Sequence, residues 1–231
     1  MNPLLSIKNL TVAVGTKEIV HNVSFDVPEG KIVAVAGPSG SGKTTVGLSI
    51  LRLLPSALSI TQGSIVFEGR HLLELPVRKM QNCRGARIGM VFQEPLSAFD
   101  PLFTIGLQCD EVLVAHTKLS KQERYKKVLE ALTEVGLPDP KQAYKSFPHQ
   151  LSGGMRQRAM VAQAMICGPS LIIADEPTSS LDITLQIKIM ELFSRLRKKN
   201  ISILLISHDL EMIAHLADKT IVLGQPVEVF P

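Results

Sequence analysis

Residues 31–44 read KIVAVAGPSGSGKT, a run of branched apolar residues that passes directly into a glycine-rich segment. The apolar part, residues 31–36, is typical of a buried strand in a parallel sheet that helices cover on both faces. The glycine-rich part, residues 37–44, matches the pattern G-x-x-x-x-G-K-[ST], and a helical pattern follows it. Together they predict an α/β fold of the P-loop NTPase type.

The glycine-rich loop has the composition that phosphate binding requires. Glycines let backbone N–H groups turn toward phosphate oxygens, and the following helix adds the positive end of its dipole. Lys43 can reach the β- and γ-phosphates, and the Thr44 hydroxyl can ligate Mg²⁺. An ordinary glycine-rich turn is the alternative, which eight matching residues in this context disfavour. The predicted nucleotide-binding residues are Gly37, Pro38, Ser39, Gly40, Ser41, Gly42, Lys43, Thr44 and Thr45.

Two carboxylates follow a second short apolar run, LIIA at residues 171–174. Ligands of α/β folds collect at the carboxyl ends of the strands, where Asp175 and Glu176 would lie. Asp175 is predicted to hold Mg²⁺, and Glu176 to orient or activate the attacking water. A plain helix start is the alternative, but a P-loop in the same chain favours the catalytic interpretation.

Two further polar residues are candidates for the reaction site. His208 follows a third apolar run, ISILLI at residues 201–206, and is predicted to reach the γ-phosphate. A lone histidine is more often structural, so this prediction depends on the other motifs. Gln93 follows a strand and is predicted to contact Mg²⁺ or the attacking water. Helical patterns from Lys43, Ile183 and Leu210 complete the strand–helix alternation.

The remaining segments predict how the domain is organised. Short alternating segments at 4–10, 23–27 and 64–67 are typical of an antiparallel subsheet. The middle of the chain carries helical patterns, for example over 121–135, and is punctuated by prolines. We therefore predict one domain over residues 1–231. It has an α/β core with the antiparallel subsheet at 1–92 and 169–231, and a helical insert at 93–168.

Composition excludes several classes of protein. The chain has 231 residues, of which 45% are hydrophobic, so it is globular rather than disordered. The net charge is +4 without a dense basic run, and no nucleic-acid partner is predicted. The three cysteines lack CxxC spacing and are expected to be reduced thiols. Neither a signal peptide nor an apolar stretch of about 18 residues is visible.

Residues 151–157 read LSGGMRQ and predict a second phosphate site. Ser152, Gly153 and Gly154 would open a helix whose first N–H groups can receive a γ-phosphate. A plain capped helix start is the alternative. Because the chain already has one complete phosphate loop, a second one makes sense only if it serves the ATP of another molecule.

With the P-loop, this segment resembles the signature of ATP-binding-cassette (ABC) ATPases, and the resemblance extends along nearly the whole chain. Gln93 is similar to the family's Q-loop, residues 179–182 (SSLD) to its D-loop, and His208 to its switch histidine. The resemblance implies an ABC-type nucleotide-binding domain that hydrolyses ATP with Mg²⁺. It also implies two subunits, the same or different, that enclose two ATP molecules head to tail. The helical insert would dock on two transmembrane permease subunits at the cytoplasmic face of the inner membrane.

The sequence departs from the family pattern in three places. An aromatic residue that stacks on adenine is expected near residues 10–15, but these read LTVAVG, with Val14 as the nearest candidate. Ser180 stands where alanine is more common. After His208, the usual strand pair is expected to be compressed into residues 221–229, and the accessory C-terminal segment of related importers is expected to be missing.

Residues 92–101 (FQEPLSAFDP) and 146–152 (SFPHQLS) resemble the peptide and nickel importer group, with a slight preference for nickel or metal chelates over di- or oligopeptides. Such importers also use a substrate-binding protein, which this chain would meet only indirectly. A soluble ABC-type ATPase of DNA repair or translation is the alternative function. A cassette that binds ATP without hydrolysing it is disfavoured by Glu176, His208 and the signature.

Overall fold

The computed structural model describes residues 3–179, 181–224 and 229–230, the last two by their backbone only. The chain forms two compact units, Met1–Gln81 with Phe193–Pro231, and Asn82–Leu192. The predicted boundaries between the α/β core and the helical insert, at 92/93 and 168/169, are not the boundaries between these two units. They therefore stay a prediction. Among the helices in the described ranges, none has the length and apolarity needed to cross a membrane.

The elements alternate along the chain as the sequence predicts. The strands are β1 (Leu5–Val14), β2 (Lys17–Val27), β3 (Ile32–Ala36), β4 (Ser59–Phe67), β5 (Arg70–His71), β6 (Ile88–Val91), β7 (Leu171–Asp175), β8 (Ser202–Ile206), β9 (Lys219–Val222) and β10 (Val229–Phe230). The helices are α1 (Lys43–Leu51), α2 (Val77–Cys83), α3 (Pro95–Ala98), α4 (Ile105–His116), α5 (Lys121–Glu134), α6 (Pro140–Lys145), α7 (Gly153–Met165), α8 (Ile183–Lys198) and α9 (Leu210–Leu216).

An antiparallel sheet in the first unit confirms the predicted subsheet. Its strand order is β2-β1-β4-β5, and Leu5 lies opposite both Val27 and Phe67. These three side chains are buried. All three strands extend beyond the predicted segments, and in β4 the added part, residues 59–63, is mostly polar and exposed. Hydrogen bonding to a neighbour defines a strand there, and apolar alternation does not reveal it.

The first unit also contains parallel pairs, in which β3 lies between β8 and β9. Every residue of β3 and β8 is buried, as expected for a parallel sheet covered on both faces. The Asp218 carboxylate ties the start of β9 to that of β3, accepting hydrogen bonds from the Ile32 amide (2.9 Å) and from Lys31 Nζ (3.1 Å). Burial acts to raise the pKa of Asp218, but these two donors and Arg197 together lower it.

The second unit combines a parallel strand pair with a group of helices. β6 and β7 pair in register, with Val91 opposite Ala174. α5 confirms the helix predicted at 121–135 and begins with a capping box formed by Ser120 and Glu123. Arg124 of the same helix binds Asp110 of α4, with an N–O distance of 2.7 Å. The helices thus form a packed unit rather than a loose connection.

α8 differs from the predicted pattern in its first two turns. The sequence places Ile183 and Ile187 on the apolar face, but Ile183 is 74% exposed and Ile187 50% exposed. Burial starts at Ile189 and continues with Leu192, Phe193 and Leu196. Helical periodicity shows which residues share a face, but it does not show how much of that face the protein covers.

Candidate nucleotide-binding site

The P-loop connects β3 to α1 in the first unit and adopts a conformation that requires glycine. Gly40 and Gly42 have φ angles of 81° and 89°, in the left-handed region that other residues rarely adopt. Gly42 is the N-cap of α1 and has no side chain with which to cap the helix, and the positive end of the helix dipole lies at this turn. The buried Lys43 donates from Nζ to the carbonyl oxygens of Gly37 (2.8 Å) and Pro38 (3.0 Å).

The other predicted loop residues differ in how exposed they are to solvent. Ser39 and Thr44 are exposed, and Thr45 is half-buried. The Ser41 hydroxyl is buried, and no hydrogen-bond partner for it occurs among the described residues. A Cβ atom at Gly42 would lie 2.7 Å from Val20 Cγ2, so the loop packs directly against β2. The structure therefore brings all nine predicted residues into one short loop and helix start.

A cavity of about 320 Å³ borders the loop in the same unit. Its lining is mainly aliphatic and consists of Ile19, Val20, His21, Val23, Ser41, Leu223 and Gly224. Val14, the residue at the place where an adenine-stacking aromatic is expected, is 43% exposed and is not part of this lining. Thus neither the lining nor Val14 offers a Phe, Tyr or Trp ring.

His208 lies where β8 gives way to α9. β3 and β8 are parallel neighbours, with Val35 opposite Ile206, and the Ser207 amide donates to the Val35 carbonyl at 3.2 Å. The P-loop and His208 therefore leave the same ends of two adjacent strands. The side chain of His208 is exposed, and Asp209 beside it caps α9 by accepting from the Met212 amide at 3.0 Å.

The second unit places Gln93, Asp175 and Glu176 in a similar way. β6 and β7 are parallel, and these three residues follow or end them at the carboxyl edge. Asp175 is 3% exposed and Glu176 is 7% exposed, whereas Gln93 is exposed. The carboxyl ends of adjacent strands thus bring the three predicted side chains to one edge of this unit.

Glu176 has a backbone conformation that the sequence does not predict. Its φ angle is 45°, a left-handed value that is uncommon for a residue other than glycine, asparagine or aspartate. Such outliers concentrate at functional sites, where the surrounding structure holds them in place. The conformation turns the chain sharply after Asp175.

A hydrogen-bonded turn follows Glu176. The Glu176 carbonyl accepts from the Ser179 amide (3.3 Å) and from the Ser179 hydroxyl (3.2 Å). Gln186 of α8 donates from Nε2 to the carbonyl oxygens of Leu181 (3.2 Å) and Thr178 (3.4 Å). Of the predicted D-loop residues, Ser180 lies outside the described residues. The sequence did not predict Gln186 as a site residue, because only its place after the turn lets it make these two hydrogen bonds.

The signature segment (residues 151–157) begins α7, as predicted. Ser152 is the N-cap, and its hydroxyl accepts from the Met155 amide at 3.3 Å. The amides of Gly153 and Gly154 belong to the first turn and so have no acceptor within the helix. Gly154 is buried against Leu185 of α8, a contact that the sequence does not indicate. Gln157 is also buried, and its Nε2 has no partner in the described part of the chain.

Comparison with known proteins identifies the family. The sequence profile described as "ABC transporter" matches residues 20–179, which is more than half of the chain. The dipeptide transport ATP-binding protein DppD of Bacillus subtilis is 44% identical over 99% of this chain and 71% of its own length. The oligopeptide transport ATP-binding protein OppD of the same organism is 42% identical over 97% of this chain and 65% of its own length.

Solved structures agree with this assignment. The ATP-binding cassette MJ0796, in a dimeric post-hydrolysis state bound to ADP and Pi, superposes with a TM-score of 0.86 at 29% identity, covering 97% of both chains. A second dimeric structure of MJ0796 gives a TM-score of 0.84 at 30% identity and covers 95% of this chain and 94% of that one. The α/β fold with its antiparallel subsheet is therefore confirmed. The chain belongs to the ABC transporter family and is one of its ATP-hydrolysing cassettes.

Proposed function

We propose that this chain is the ATP-hydrolysing subunit of an importer for dipeptides or oligopeptides. The observation that supports it most is the 44% identity, over 99% of this chain, to a dipeptide transport ATP-binding protein. Relatives from other bacteria carry similar names; the DppD proteins of Haemophilus influenzae and Escherichia coli are 41% and 38% identical. These names favour peptides over nickel or metal chelates, and they give no support to a function in DNA repair or translation.

In this proposal the P-loop binds the phosphates of ATP. Lys43 Nζ exchanges its two carbonyl acceptors in the loop for oxygens of the β- and γ-phosphates. The amides at the start of α1 stabilise the negative charge that develops on the transferred phosphoryl group. Glu176 orients the attacking water and accepts its proton, and His208 contacts the γ-phosphate.

Mg²⁺ fits the donor groups that the sequence assigns to it. Thr44 offers a hydroxyl, Asp175 a carboxylate and Gln93 an amide oxygen, and Mg²⁺ prefers such oxygen ligands. The described residues contain no group of three or more His, Cys, Asp or Glu that could hold a metal ion. This agrees with magnesium bound through few protein ligands together with phosphate oxygens. The bound ion would neutralise phosphate charge during hydrolysis.

The signature segment supports a dimeric mechanism. The Gly153 and Gly154 amides, next to the cap at Ser152, form a second anion site on α7. We propose that this site receives the γ-phosphate of ATP bound to a partner cassette, either a second copy or a related chain. ATP would then bind preferentially to the closed dimer and shift the population toward it, and hydrolysis would reverse the shift.

Exposed apolar side chains in the second unit support docking to a membrane partner. Several large apolar residues between β6 and the middle of α4 are exposed, and Leu102 is 77% exposed. The others are Phe92, Leu96, Phe103 and Leu107. A concentration of exposed apolar groups marks an interaction surface. We propose that cytoplasmic helices of the permease subunits cover it, which would place this chain peripherally on the cytoplasmic face of the membrane.

ATP-dependent dimerisation of the Glu176→Gln variant tests the dimeric mechanism. Removing the carboxylate is expected to retain ATP but block its hydrolysis, so the purified variant should dimerise in ATP and not in ADP. If the variant dimerises on its own, the cassette forms a homodimer. If it dimerises only when a related cassette is added, the cassette forms a heterodimer. Adding Ser152→Arg should prevent the dimer and leave binding of a fluorescent ATP analogue to the monomer unchanged. A dimer that tolerates Ser152→Arg would contradict the assigned role of the signature.

The cargo is tested on the assembled importer. ATP hydrolysis by the cassettes with their permease subunits should rise when the substrate-binding protein is loaded with a dipeptide or oligopeptide. Nickel-loaded binding protein serves as the comparison. Stimulation by nickel alone would overturn the peptide assignment and leave the ATPase assignment intact.

A further inference from the structure

We propose that Leu185 is a positioning residue that fixes the signature glycines and ties their position to the turn after Glu176. The proposal rests on the proposed function, in which the start of α7 serves the ATP of a partner cassette. Leu185 lies in the first turn of α8 and therefore belongs to neither phosphate-binding segment. It acts through Gly154, which it contacts directly.

With Leu185 in the position that it occupies, a side chain on Gly154 would overlap the leucine. A Cβ atom added at Gly154 would lie 2.5 Å from Leu185 Cδ1, 3.0 Å from Cδ2 and 3.2 Å from Cγ. All three atoms of the leucine branch therefore lie over the Gly154 backbone. By contrast, a Cβ atom at Gly153 would meet nothing within 4 Å. The two signature glycines thus differ, because only the second carries the packing that locates the helix start.

Leu185 is itself held by the turn that precedes it. Its amide donates to Asp182 Oδ1 at 3.0 Å, and the Gln186 amide donates to the Asp182 carbonyl at 2.9 Å. Gln186 Nε2 reaches back to Leu181 and Thr178, as described above. Several hydrogen bonds therefore join the beginning of α8 to the turn, and they favour movement of the two segments together.

Ser179 links the same turn to Glu176, because its amide and its hydroxyl both donate hydrogen bonds to the Glu176 carbonyl oxygen. Contacts and chain neighbours among the described residues thus link the Glu176 backbone to Gly154, all within the second unit. The link passes through Ser179, Thr178, Gln186 and Leu185. Glu176 would act on the ATP of its own cassette, whereas Gly154 would contact the ATP of the partner. A shift of the turn at one site would then move the signature amides at the other, which is a physical basis for coupling between the sites.

A double-mutant cycle in ATP hydrolysis tests this coupling. Gly154→Ala should lower kcat about tenfold, because its methyl group overlaps the leucine and displaces the start of α7. Leu185→Ala should lower kcat several-fold by loosening that start. The double variant should recover much of the activity lost in Gly154→Ala, because the smaller side chain makes room for the methyl group. Such non-additivity is expected for two residues in contact.

Three further measurements separate positioning from a general loss of stability. Binding of a fluorescent ATP analogue to the monomer should be unchanged in every variant, since the P-loop lies in the other unit. Leu185→Met should keep near-normal kcat because the methionine can still cover Gly154. Met190→Ala, a change at a half-buried residue of the same helix, should destabilise the protein without changing kcat.

The outcomes distinguish this proposal from the function on which it rests. If the unchanged protein, alone or with its partner cassette, neither dimerises in ATP nor hydrolyses it, the dimeric mechanism and this proposal both fail. If it does hydrolyse ATP, two results overturn the positioning role alone. These are a normal kcat for Leu185→Ala, or a double variant that is no more active than Gly154→Ala.

Discussion

The carbonyl oxygen of Glu176 accepts two hydrogen bonds from Ser179, one from its amide at 3.3 Å and one from its hydroxyl at 3.2 Å. Both bonds close the turn that keeps Glu176 at a φ angle of 45°. Glu176, which we propose as the general base, is thus held by the backbone on both sides, with β7 before it and this turn after it. An oriented side chain contributes to catalysis only when its geometry is maintained in this way.

Removing the Ser179 hydroxyl should weaken hydrolysis more than nucleotide binding. In Ser179→Ala the amide bond remains, but the second bond to the Glu176 carbonyl is lost, which costs about 1 kcal/mol of local order. We expect kcat to fall about threefold to tenfold, with the KM for ATP almost unchanged. Steady-state ATPase measurements check this. Ser179→Thr keeps a hydroxyl and should retain most of the activity, so equal losses in the two variants would contradict the role of this bond.

Replacing Glu176 with asparagine should give a more stable protein than replacing it with alanine, and both changes should abolish hydrolysis. Asparagine tolerates the left-handed conformation, which costs other residues about 1 kcal/mol or more. The free energy of unfolding in urea should therefore rise by about 0.5–1 kcal/mol for Glu176→Asn relative to Glu176→Ala. Both variants lack the carboxylate, so the comparison isolates the backbone. Equal stability of the two would mean that the φ angle at this position stores no strain.

The fold was predictable where burial is continuous along the sequence. β3, β7 and β8 are fully buried runs of branched residues, and the predicted segments match them to within a residue. Prediction was incomplete for β4, whose first half is mostly exposed and polar, and for α8, in which the apolar Ile183 and Ile187 are exposed. In both cases tertiary context decides the outcome, and local composition does not carry that information.

Short motifs predicted where the candidate site residues lie in the fold, but they did not predict the contacts that support them. Lys43 and Ser152 occupy the loop and cap positions that their motifs predict. The left-handed angle at Glu176 carries no local signal, because glycine or asparagine usually marks such a position. The packing of Leu185 on Gly154 joins segments that are distant in the sequence. A pattern read along the chain does not reveal such a contact.

Introducing an aromatic residue at Val14 should tighten nucleotide binding. Val14 ends β1 in the unit that contains the P-loop, and it is partly exposed, so a ring there can stack on a base. Stacking between a base and an aromatic side chain contributes about 1–3 kcal/mol, and we expect Val14→Tyr to lower the Kd for ATP about fivefold or more. Titration with fluorescent nucleotides measures it.

A matched control for this change is Val114→Tyr, which adds the same ring at an exposed valine of α4 in the other unit. It should leave the Kd for ATP unchanged. Because stacking tolerates different bases, the affinity for GTP should increase along with that for ATP in Val14→Tyr. An unchanged Kd for both nucleotides would show that the base lies elsewhere, for example against the aliphatic cavity beside Ser41.

Replacing Asp218 with asparagine should destabilise the protein in a pH-dependent way. The carboxylate accepts from the Ile32 amide and Lys31, and its pKa is lowered in the folded protein. A lowered folded pKa means that the stabilisation is complete above the unfolded value of about 4 and is lost as the pH falls through the folded value. At pH 7, Asp218→Asn should lower the free energy of unfolding by about 1–2 kcal/mol, and this difference should shrink toward pH 3.

Urea unfolding between pH 7 and pH 3 measures the difference, with the exposed Asp26→Asn on β2 as the control. A difference that stays constant over this range would show that the asparagine acts through lost hydrogen-bond geometry and not through the charge.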